Sequence, residues 1–188
     1  MPFSARHIPN CISIARIFLV LPVTAAILNR HFPAALGWFV LAGLSDGVDG
    51  LLARRFGWQS RLGSYLDPVA DKLLLASSYG CLAWLGLLPV WLAVLVLTRD
   101  AVIFSGAVAY YAWVGPFDGQ PSLISKLNTL LQLLLVFVIL AMPDWPALPP
   151  VLALALTRLV AFTTAASGVH YVIDWSRRYR TATHSGGA

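Results

Sequence analysis

The chain has 188 residues, of which 59% are hydrophobic and only 11% are charged. Its mean hydropathy is +0.76 and its formal net charge is +5. Soluble domains carry about 25% charged residues, so the composition excludes an ordinary soluble protein and predicts one integral membrane domain over residues 1–188. The positive charge is spread over short loops and chain ends, which indicates contact with anionic lipid headgroups and no nucleic-acid partner.

Six apolar stretches predict an all-α bundle of about six transmembrane helices, since each is close to the roughly 20 residues that a bilayer requires. They cover approximately residues 10–29, 34–53, 64–86, 89–113, 124–142 and 150–175. A short segment, 1–9, precedes them and a polar tail, 176–188, follows. Proline and glycine mark several of the turns, and the most polar connection is the basic loop 54–62.

Lysine and arginine predict the orientation, because cytoplasmic loops are enriched in both. With six spans the termini share a side, and nine basic residues fall on it: Arg6, Arg54, Arg55, Arg61, Lys72, Lys126, Arg177, Arg178 and Arg180. Only Arg30 falls on the opposite side. Both termini and the polar site between the second and third spans are therefore expected to face the cytoplasm. The absence of an organelle-targeting extension favours a bacterial inner membrane.

The stretch DGVDGLLARRFGWQSRLGSYLDPVAD, residues 46–71, holds four of the eight acidic residues of the chain. Asp46 and Asp49 are three apart, and Asp67 and Asp71 are four apart, so each pair can share one face of a helix. Converging carboxylates repel one another unless cations neutralise them, and divalent cations that prefer oxygen ligands suit this role. The competing interpretation is a solvated turn in which aspartates cap helices.

Small residues and an arginine follow the first acidic pair. Gly50 and Ala53 leave room for a phosphorylated ligand to approach, and Arg54 can hold a phosphate through two hydrogen bonds. A two-metal carboxylate site beside an arginine is suited to phosphoryl transfer.

The complete pattern, Asp-x2-Asp-Gly-x2-Ala-Arg-x8-Gly-x3-Asp-x3-Asp, resembles the signature of the CDP-alcohol phosphatidyltransferases. The resemblance implies that two divalent cations, Mg²⁺ or Mn²⁺, are held by the four aspartates. Asp46, Asp49 and Asp67 would hold the first ion and Asp71 would complete the second. It also implies that Asp67 and Asp71 are catalytic, with Asp71 as the general base that deprotonates the acceptor hydroxyl. The cytidine diphosphate site would be formed by Asp46, Asp49, Gly50, Ala53, Arg54 and Gly63.

Charged residues inside apolar spans are costly and therefore indicate function. Arg16 lies in the first span, Arg99 interrupts the fourth, and Ser125 with Lys126 opens the fifth. These four residues are candidates for binding an acceptor or lipid phosphate. An ion pair of Arg99 with Asp100 is an alternative, although adjacent residues on a helix point in different directions. Lys126 could equally be an interfacial lysine.

Within the family, the chain is most similar to the CMP-forming cardiolipin synthases. The similar stretches are LAGLSDGVDGLLARRF, LGSYLDPVADKLLL, the segment Thr98-Arg99-Asp100, PSLISKLNTLLQLLLV and AFTTAASGVHYV. This resemblance implies that CDP-diacylglycerol and phosphatidylglycerol give cardiolipin and CMP, in a membrane-bound homodimer.

Two other functions are compatible with the sequence. Phosphatidylglycerophosphate synthases share the motif and the Ile8-Pro9-Asn10 opening but use glycerol 3-phosphate. In that family an Arg-Glu pair is usual at the position of Arg99-Asp100, so Asp100 favours the resemblance to the cardiolipin synthases. A cation transporter could also need an aspartate-lined site, but such a site is expected near the middle of the membrane between repeated halves. The chain shows no internal repeat.

Overall fold

The computed structural model describes residues 8–56, 63–113 and 123–185, with side chains at 14–45, 47, 69–106 and 123–173. Within these ranges the chain is entirely helical apart from its turns. The helices are α1 (Ile8–Leu28), α2 (Phe32–Phe56), α3 (Gly63–Trp84), α4 (Val90–Trp113), α5 (Leu123–Ala141) and α6 (Pro150–Ser185). The all-α prediction is confirmed. Two helical segments of the described chain, Leu123–Ala141 and Pro150–Ile173, are long and apolar enough to cross a bilayer.

The helix bounds agree with the predicted spans at most junctions and differ at two. The α2 helix continues through Phe56, so the first residues of the expected basic loop, Arg54 and Arg55, are helical. The α6 helix extends to Ser185, ten residues beyond the predicted span. Hydropathy detects only the apolar part of a helix, whereas the backbone hydrogen bonds that maintain it continue into polar sequence.

The chain divides into two compact units, Met1–Leu88 with Val136–Pro149, and Pro89–Leu135 with Pro150–Ala188. In the first unit, α1 packs against both α2 and α3. The α2 helix buries Ala35, Phe39 and Ala42, residues four and then three apart that lie on one face of the helix. Two of these residues are alanines, and small side chains allow helix backbones to approach closely.

In the second unit, α4 packs against α6. The α4 helix buries Leu92, Val96 and Arg99, again at spacings of four and three. An apolar buried face thus ends on a buried guanidinium.

In the described part of the chain, two helices end in the same way, at a residue with a left-handed backbone. After α3, Gly86 has φ 73°. Its N–H donates to the carbonyl of Ala83, and the N–H of Leu87 donates to that of Leu82. This pair of bonds is the Schellman motif, which satisfies carbonyls at the helix end. After α1, Arg30 takes the equivalent position with φ 59°.

We expect Gly86→Ala to lower the free energy of unfolding by about 1 kcal/mol, because a Cβ disfavours the left-handed backbone. A Cβ at Gly86 would meet nothing within 4 Å, so the loss comes from the backbone alone. Gly80→Ala is the matched control: its site is equally open but lies within α3, where alanine favours the helix. Reversible unfolding in detergent micelles measures both. Equal stability of the two variants would contradict the expectation.

Candidate active site

The two acidic pairs of the motif lie within continuous helices, the first in α2 and the second in α3. On α2, positions 46 and 49 extend the buried series 35, 39 and 42 at the same spacing. On α3, residues 74, 78 and 82 are buried, and positions 67 and 71 precede them at the helical spacings of four and three. Helical periodicity therefore places both pairs in register with the faces along which their helices are packed.

Most motif side chains lie outside the described residues. This applies to Asp46, Asp49, Gly50, Ala53, Arg54, Gly63 and Asp67, whose roles stay predictions. Their residue types nevertheless fit the expected ions, since four carboxylates form the hard, anionic oxygen set that Mg²⁺ and Mn²⁺ prefer. Asp71 is the motif carboxylate whose surroundings the structure describes.

Asp71 forms an ion pair with Arg16 across the packed helices α1 and α3. The Arg16 Nη1 donates to Asp71 Oδ1 at 2.7 Å. The arginine side chain is fully buried, whereas that of Asp71 is 44% exposed. One carboxylate oxygen is thereby held from the protein side while the group remains accessible. Arg16 thus contacts the expected general base, which differs from its expected role as a ligand of a lipid phosphate.

Arg99 is the centre of a second polar cluster, formed by α4, α5 and α6 within the second unit. Its Nη1 donates to Asp100 Oδ1 at 2.7 Å, and its Nη2 donates to Ser125 Oγ at 2.7 Å. A further bond from Nη2 reaches Ser167 Oγ. The Tyr171 ring centroid lies 5.9 Å from the guanidinium carbon, within range of a cation–π interaction. We call these five residues the Arg99 cluster.

The expectation that adjacency would keep Arg99 and Asp100 apart is wrong. Helical Cβ directions do diverge between neighbours, but the arginine side chain is long enough to bend back to the carboxylate of Asp100. The pair is largely enclosed, with side-chain exposures of 4% for Arg99 and 15% for Asp100. Within the described part of the chain, the buried Nε of Arg99 has no hydrogen-bond partner. The cluster therefore retains one buried donor for which an acceptor is needed.

A deeper polar layer lies one turn further along α5. The hydroxyls of Thr163 and Thr164 on α6 both lie 2.8 Å from Oδ1 of Asn128. All three residues are buried. Such contacts join helices in an apolar environment, where each is worth about 0.6 kcal/mol. By linking α5 to α6, these hydrogen bonds stabilise the pair of helices that carries Ser125 and Ser167 of the Arg99 cluster.

The sequence predictions identified Arg99 and Ser125 but missed Ser167 and Tyr171. Ser167 gives little signal alone because serine is common in Ala-rich helices. The usable signal is periodic: Thr163 or Thr164, Ser167 and Tyr171 follow one another at helical spacing within an apolar span. Lys126 is exposed beside Ser125, so the structure leaves its two interpretations open.

Each unit, taken by itself, holds a feature that suits phosphate chemistry. In the first unit, the acidic pairs of α2 and α3 are the expected oxygen ligands and base, and Arg16 donates to one oxygen of Asp71. In the second unit, the Arg99 cluster provides a buried cation, and among the described residues the Arg99 Nε donates to no acceptor. No nucleophilic cysteine or serine is required by this arrangement, because an acceptor hydroxyl can act as the nucleophile.

Comparisons with known proteins agree with the motif. The model of the CDP-alcohol phosphatidyltransferase family matches residues 6–170. The chain is 38% identical over 180 residues to the CMP-forming cardiolipin synthase of Homo sapiens, covering 87% of this chain and 60% of that protein. It is 35% identical over 183 residues to a probable CMP-forming cardiolipin synthase of Drosophila melanogaster, covering 89% of this chain and 57% of the other.

A plastid protein of Oryza sativa subsp. japonica is also similar. It is a chloroplastic CDP-diacylglycerol–glycerol-3-phosphate 3-phosphatidyltransferase, 35% identical over 187 residues, with 90% of this chain and 57% of that protein covered. The chain thus spans about 57–60% of the length of these curated relatives.

Proposed function

Because the chain belongs to the CDP-alcohol phosphatidyltransferase family, we propose that it is a CMP-forming cardiolipin synthase. The reaction joins the phosphatidyl group of CDP-diacylglycerol to phosphatidylglycerol and releases CMP. The observation that carries the proposal is the full eight-residue motif, with both acidic pairs in helices and Asp71 held by a buried arginine. The similarity to cardiolipin synthases over 87% of the chain supports the choice of acceptor.

In the proposed mechanism, the Asp71 carboxylate takes the proton from the acceptor hydroxyl. The hydroxyl oxygen then forms a bond to the phosphorus next to diacylglycerol, and the bond to the bridging oxygen of the diphosphate breaks. CMP leaves with that oxygen. Arg16 holds Asp71 Oδ1, so the second carboxylate oxygen keeps its orientation toward the reacting groups.

Members of this family generally depend on divalent cations. Asp46, Asp49, Asp67 and Asp71 would hold two such ions, Mg²⁺ or Mn²⁺. When bound, the ions neutralise phosphate oxygens and so assist departure of CMP. Gly50, Ala53, Arg54 and Gly63, with the first acidic pair, would line the cytidine diphosphate site.

Arg99 and Ser125 are the residues of this chain that we assign to the acceptor phosphate, with Lys126 beside them. The buried Arg99 guanidinium supports this assignment, as does its Nε, which has no hydrogen-bond partner among the described residues. We assign Arg16 to the positioning of Asp71, because its Nη1 donates to that carboxylate, and the predicted role of Arg16 as a phosphate ligand is the alternative.

The proposal includes six transmembrane spans with the termini and the carboxylates on the cytoplasmic side, and a homodimer. The distribution of basic residues supports the orientation, with nine predicted on one side and Arg30 alone on the other. The second candidate function is phosphatidylglycerophosphate synthase. The similarity to the Oryza sativa enzyme, a CDP-diacylglycerol–glycerol-3-phosphate 3-phosphatidyltransferase, is the observation in its favour.

Release of CMP by the purified protein distinguishes the two functions. CDP-diacylglycerol and Mg²⁺ or Mn²⁺ are supplied with either phosphatidylglycerol or glycerol 3-phosphate, and a chelator is added in a parallel reaction. We expect CMP with phosphatidylglycerol and none after chelation. CMP release with glycerol 3-phosphate alone would support the second candidate instead.

The assignment of Arg99 predicts a defect in acceptor use. We expect Arg99→Gln to raise the KM for phosphatidylglycerol by about 10–100-fold, because charge-assisted hydrogen bonds to phosphate are lost. The KM for CDP-diacylglycerol should change much less. Arg158→Gln is the control, since Arg158 lies on α6 in the same unit but is exposed. Equal effects of the two substitutions would contradict the assignment.

A further inference from the structure

One arginine of α6 lies in the apolar part of the helix and is nevertheless exposed. Arg158 follows Pro150 by eight residues, which is about 12 Å along the helix axis. It lies within the segment Pro150–Ile173, which is long and apolar enough to cross a bilayer. Charged residues in such segments almost always face the interior of the protein or a water-filled cavity. The exposure of Arg158 at this depth is therefore unusual.

Arg158 also has no anionic partner among the residues that the structure describes. The two arginines that lie in apolar parts of α1 and α4 are each bonded to a carboxylate, Arg16 to Asp71 and Arg99 to Asp100. Arg158 forms neither an ion pair nor a hydrogen bond within the described ranges. The acidic residue of its own helix, Asp174, follows 16 residues later, about 24 Å along the axis.

The surface around Arg158 is apolar. Leu154 and Phe162 lie one turn before and one turn after it on the same face of α6, and they are 49% and 73% exposed. Side chains on a helix lean toward its N-terminus, so the guanidinium extends toward the Pro150 end of the segment. The surface thus has a cation toward the nearer end of the segment and an exposed aromatic ring one turn deeper. A phospholipid has its phosphate and its acyl chains in the same order.

This surface is separate from the Arg99 cluster. Ser167, which accepts a hydrogen bond from Arg99, follows Arg158 by nine residues, or about 13 Å along α6. Ser167 is fully buried, whereas Arg158 is exposed. A phosphate bound by Arg158 is therefore not the acceptor phosphate that we assign to Arg99.

We propose that Arg158 binds a phospholipid with a net negative headgroup, in the leaflet at the Pro150 end of α6, with an acyl chain against Phe162. A guanidinium binds phosphate oxygens through charge-assisted hydrogen bonds. A zwitterionic headgroup carries its own cation, which competes for the phosphate, so the site prefers anionic lipids. The bound lipid stabilises the folded protein. The inference does not rest on the proposed function, because binding is measured without turnover.

The first test measures the unfolding temperature in uncharged detergent at increasing concentrations of phosphatidylserine. This lipid is anionic, and its headgroup has no hydroxyl that could accept a phosphatidyl group. We expect its apparent Kd to rise by about 10–100-fold in Arg158→Gln, because a charge-assisted contact is lost. Arg30→Gln removes an exposed arginine from the turn after α1 and should bind like the wild type. Equal Kd values for the two variants would overturn the inference.

A variant of the Arg99 cluster identifies the site at which this lipid binds. Arg99→Gln should keep the wild-type Kd for phosphatidylserine if the lipid binds at Arg158. A rise in Arg99→Gln together with an unchanged Kd in Arg158→Gln would place the lipid in the Arg99 cluster and contradict the inference.

A second test uses the wild-type protein and so does not depend on folding of a variant. Phosphatidylcholine with the same acyl chains should need a concentration at least about 10-fold higher to give the same rise in unfolding temperature. Glycerophosphoserine, the soluble headgroup without acyl chains, should give no rise. Equal potency of phosphatidylcholine, or an equal effect of the soluble compound, would show that no anionic lipid is selected.

A second copy of the chain is the other candidate for covering this surface. In that case Arg158→Gln should change the mass of the protein–detergent complex in light scattering and leave the Kd for phosphatidylserine unchanged, and the inference would be wrong. We expect an unchanged mass. Arg158→Lys keeps the positive charge and should keep the preference for the anionic lipid.

Discussion

Asp71→Asn is expected to lower kcat for CMP release by about 10³-fold or more, the upper range of what a general base contributes, since a metal ligand is altered as well. The amide cannot accept the proton of the acceptor hydroxyl at neutral pH. It does keep an oxygen where Arg16 Nη1 donates, so the contact between α1 and α3 can persist. Because the fully buried Arg16 loses its countercharge, we also expect a lower thermal stability, so turnover should be compared at a temperature at which the variant is folded.

The control for this variant is Asp144→Asn, an identical change at an exposed turn. It should turn over like the wild type with either candidate acceptor. Full activity of Asp71→Asn with phosphatidylglycerol would remove Asp71 as the base, whatever the remaining aspartates do.

Arg16→Gln is expected to have the second-largest effect, a fall in kcat of about 10–100-fold, as is typical when a residue that orients a metal or catalytic ligand is replaced. The guanidinium is fully buried and fixes one oxygen of Asp71. Without it, this carboxylate oxygen loses the buried donor that orients it for the reaction. The concentration of Mn²⁺ that gives half-maximal activity should rise as well.

Two further variants separate a role of Arg16 in positioning Asp71 from a role in the stability of the protein. Arg16→Lys retains a cation that can reach the carboxylate and should recover part of the turnover. Arg30→Gln removes an exposed arginine from the turn after α1 and should be neutral. If Arg16→Gln raised the KM for phosphatidylglycerol and left kcat and the Mn²⁺ requirement unchanged, Arg16 would be a phosphate ligand as the sequence predicted.

Helix positions could be predicted well because the apolar stretches are long and clearly separated. The predicted span 124–142 compares with Leu123–Ala141 for α5, and 89–113 compares with Val90–Trp113 for α4. The polar extension of α6 to Ser185 could not be predicted from hydropathy. Its sequence resembles a solvated tail, and only the backbone shows that it is helical.

The site could be predicted in its residues but only partly in its contacts. Arg16 and Arg99 stand out because a charge in an apolar helix is costly unless it has a partner. The partner itself depends on tertiary packing, and Asp71 is 55 positions from Arg16. The pairing of Arg99 with Asp100 is not predicted by helical geometry, because this geometry constrains Cβ directions and leaves the long arginine side chain free to reach its neighbour.

The destination of the lipid-side phosphorus tests the central claim most directly. CDP-diacylglycerol labelled with ³²P at the phosphate next to diacylglycerol is incubated with purified protein, phosphatidylglycerol and Mn²⁺. The proposed mechanism predicts that the label appears in cardiolipin, with one unlabelled CMP released for each labelled lipid formed. Label in a water-soluble nucleotide, or CMP release without labelled cardiolipin, would contradict phosphatidyl transfer by this protein.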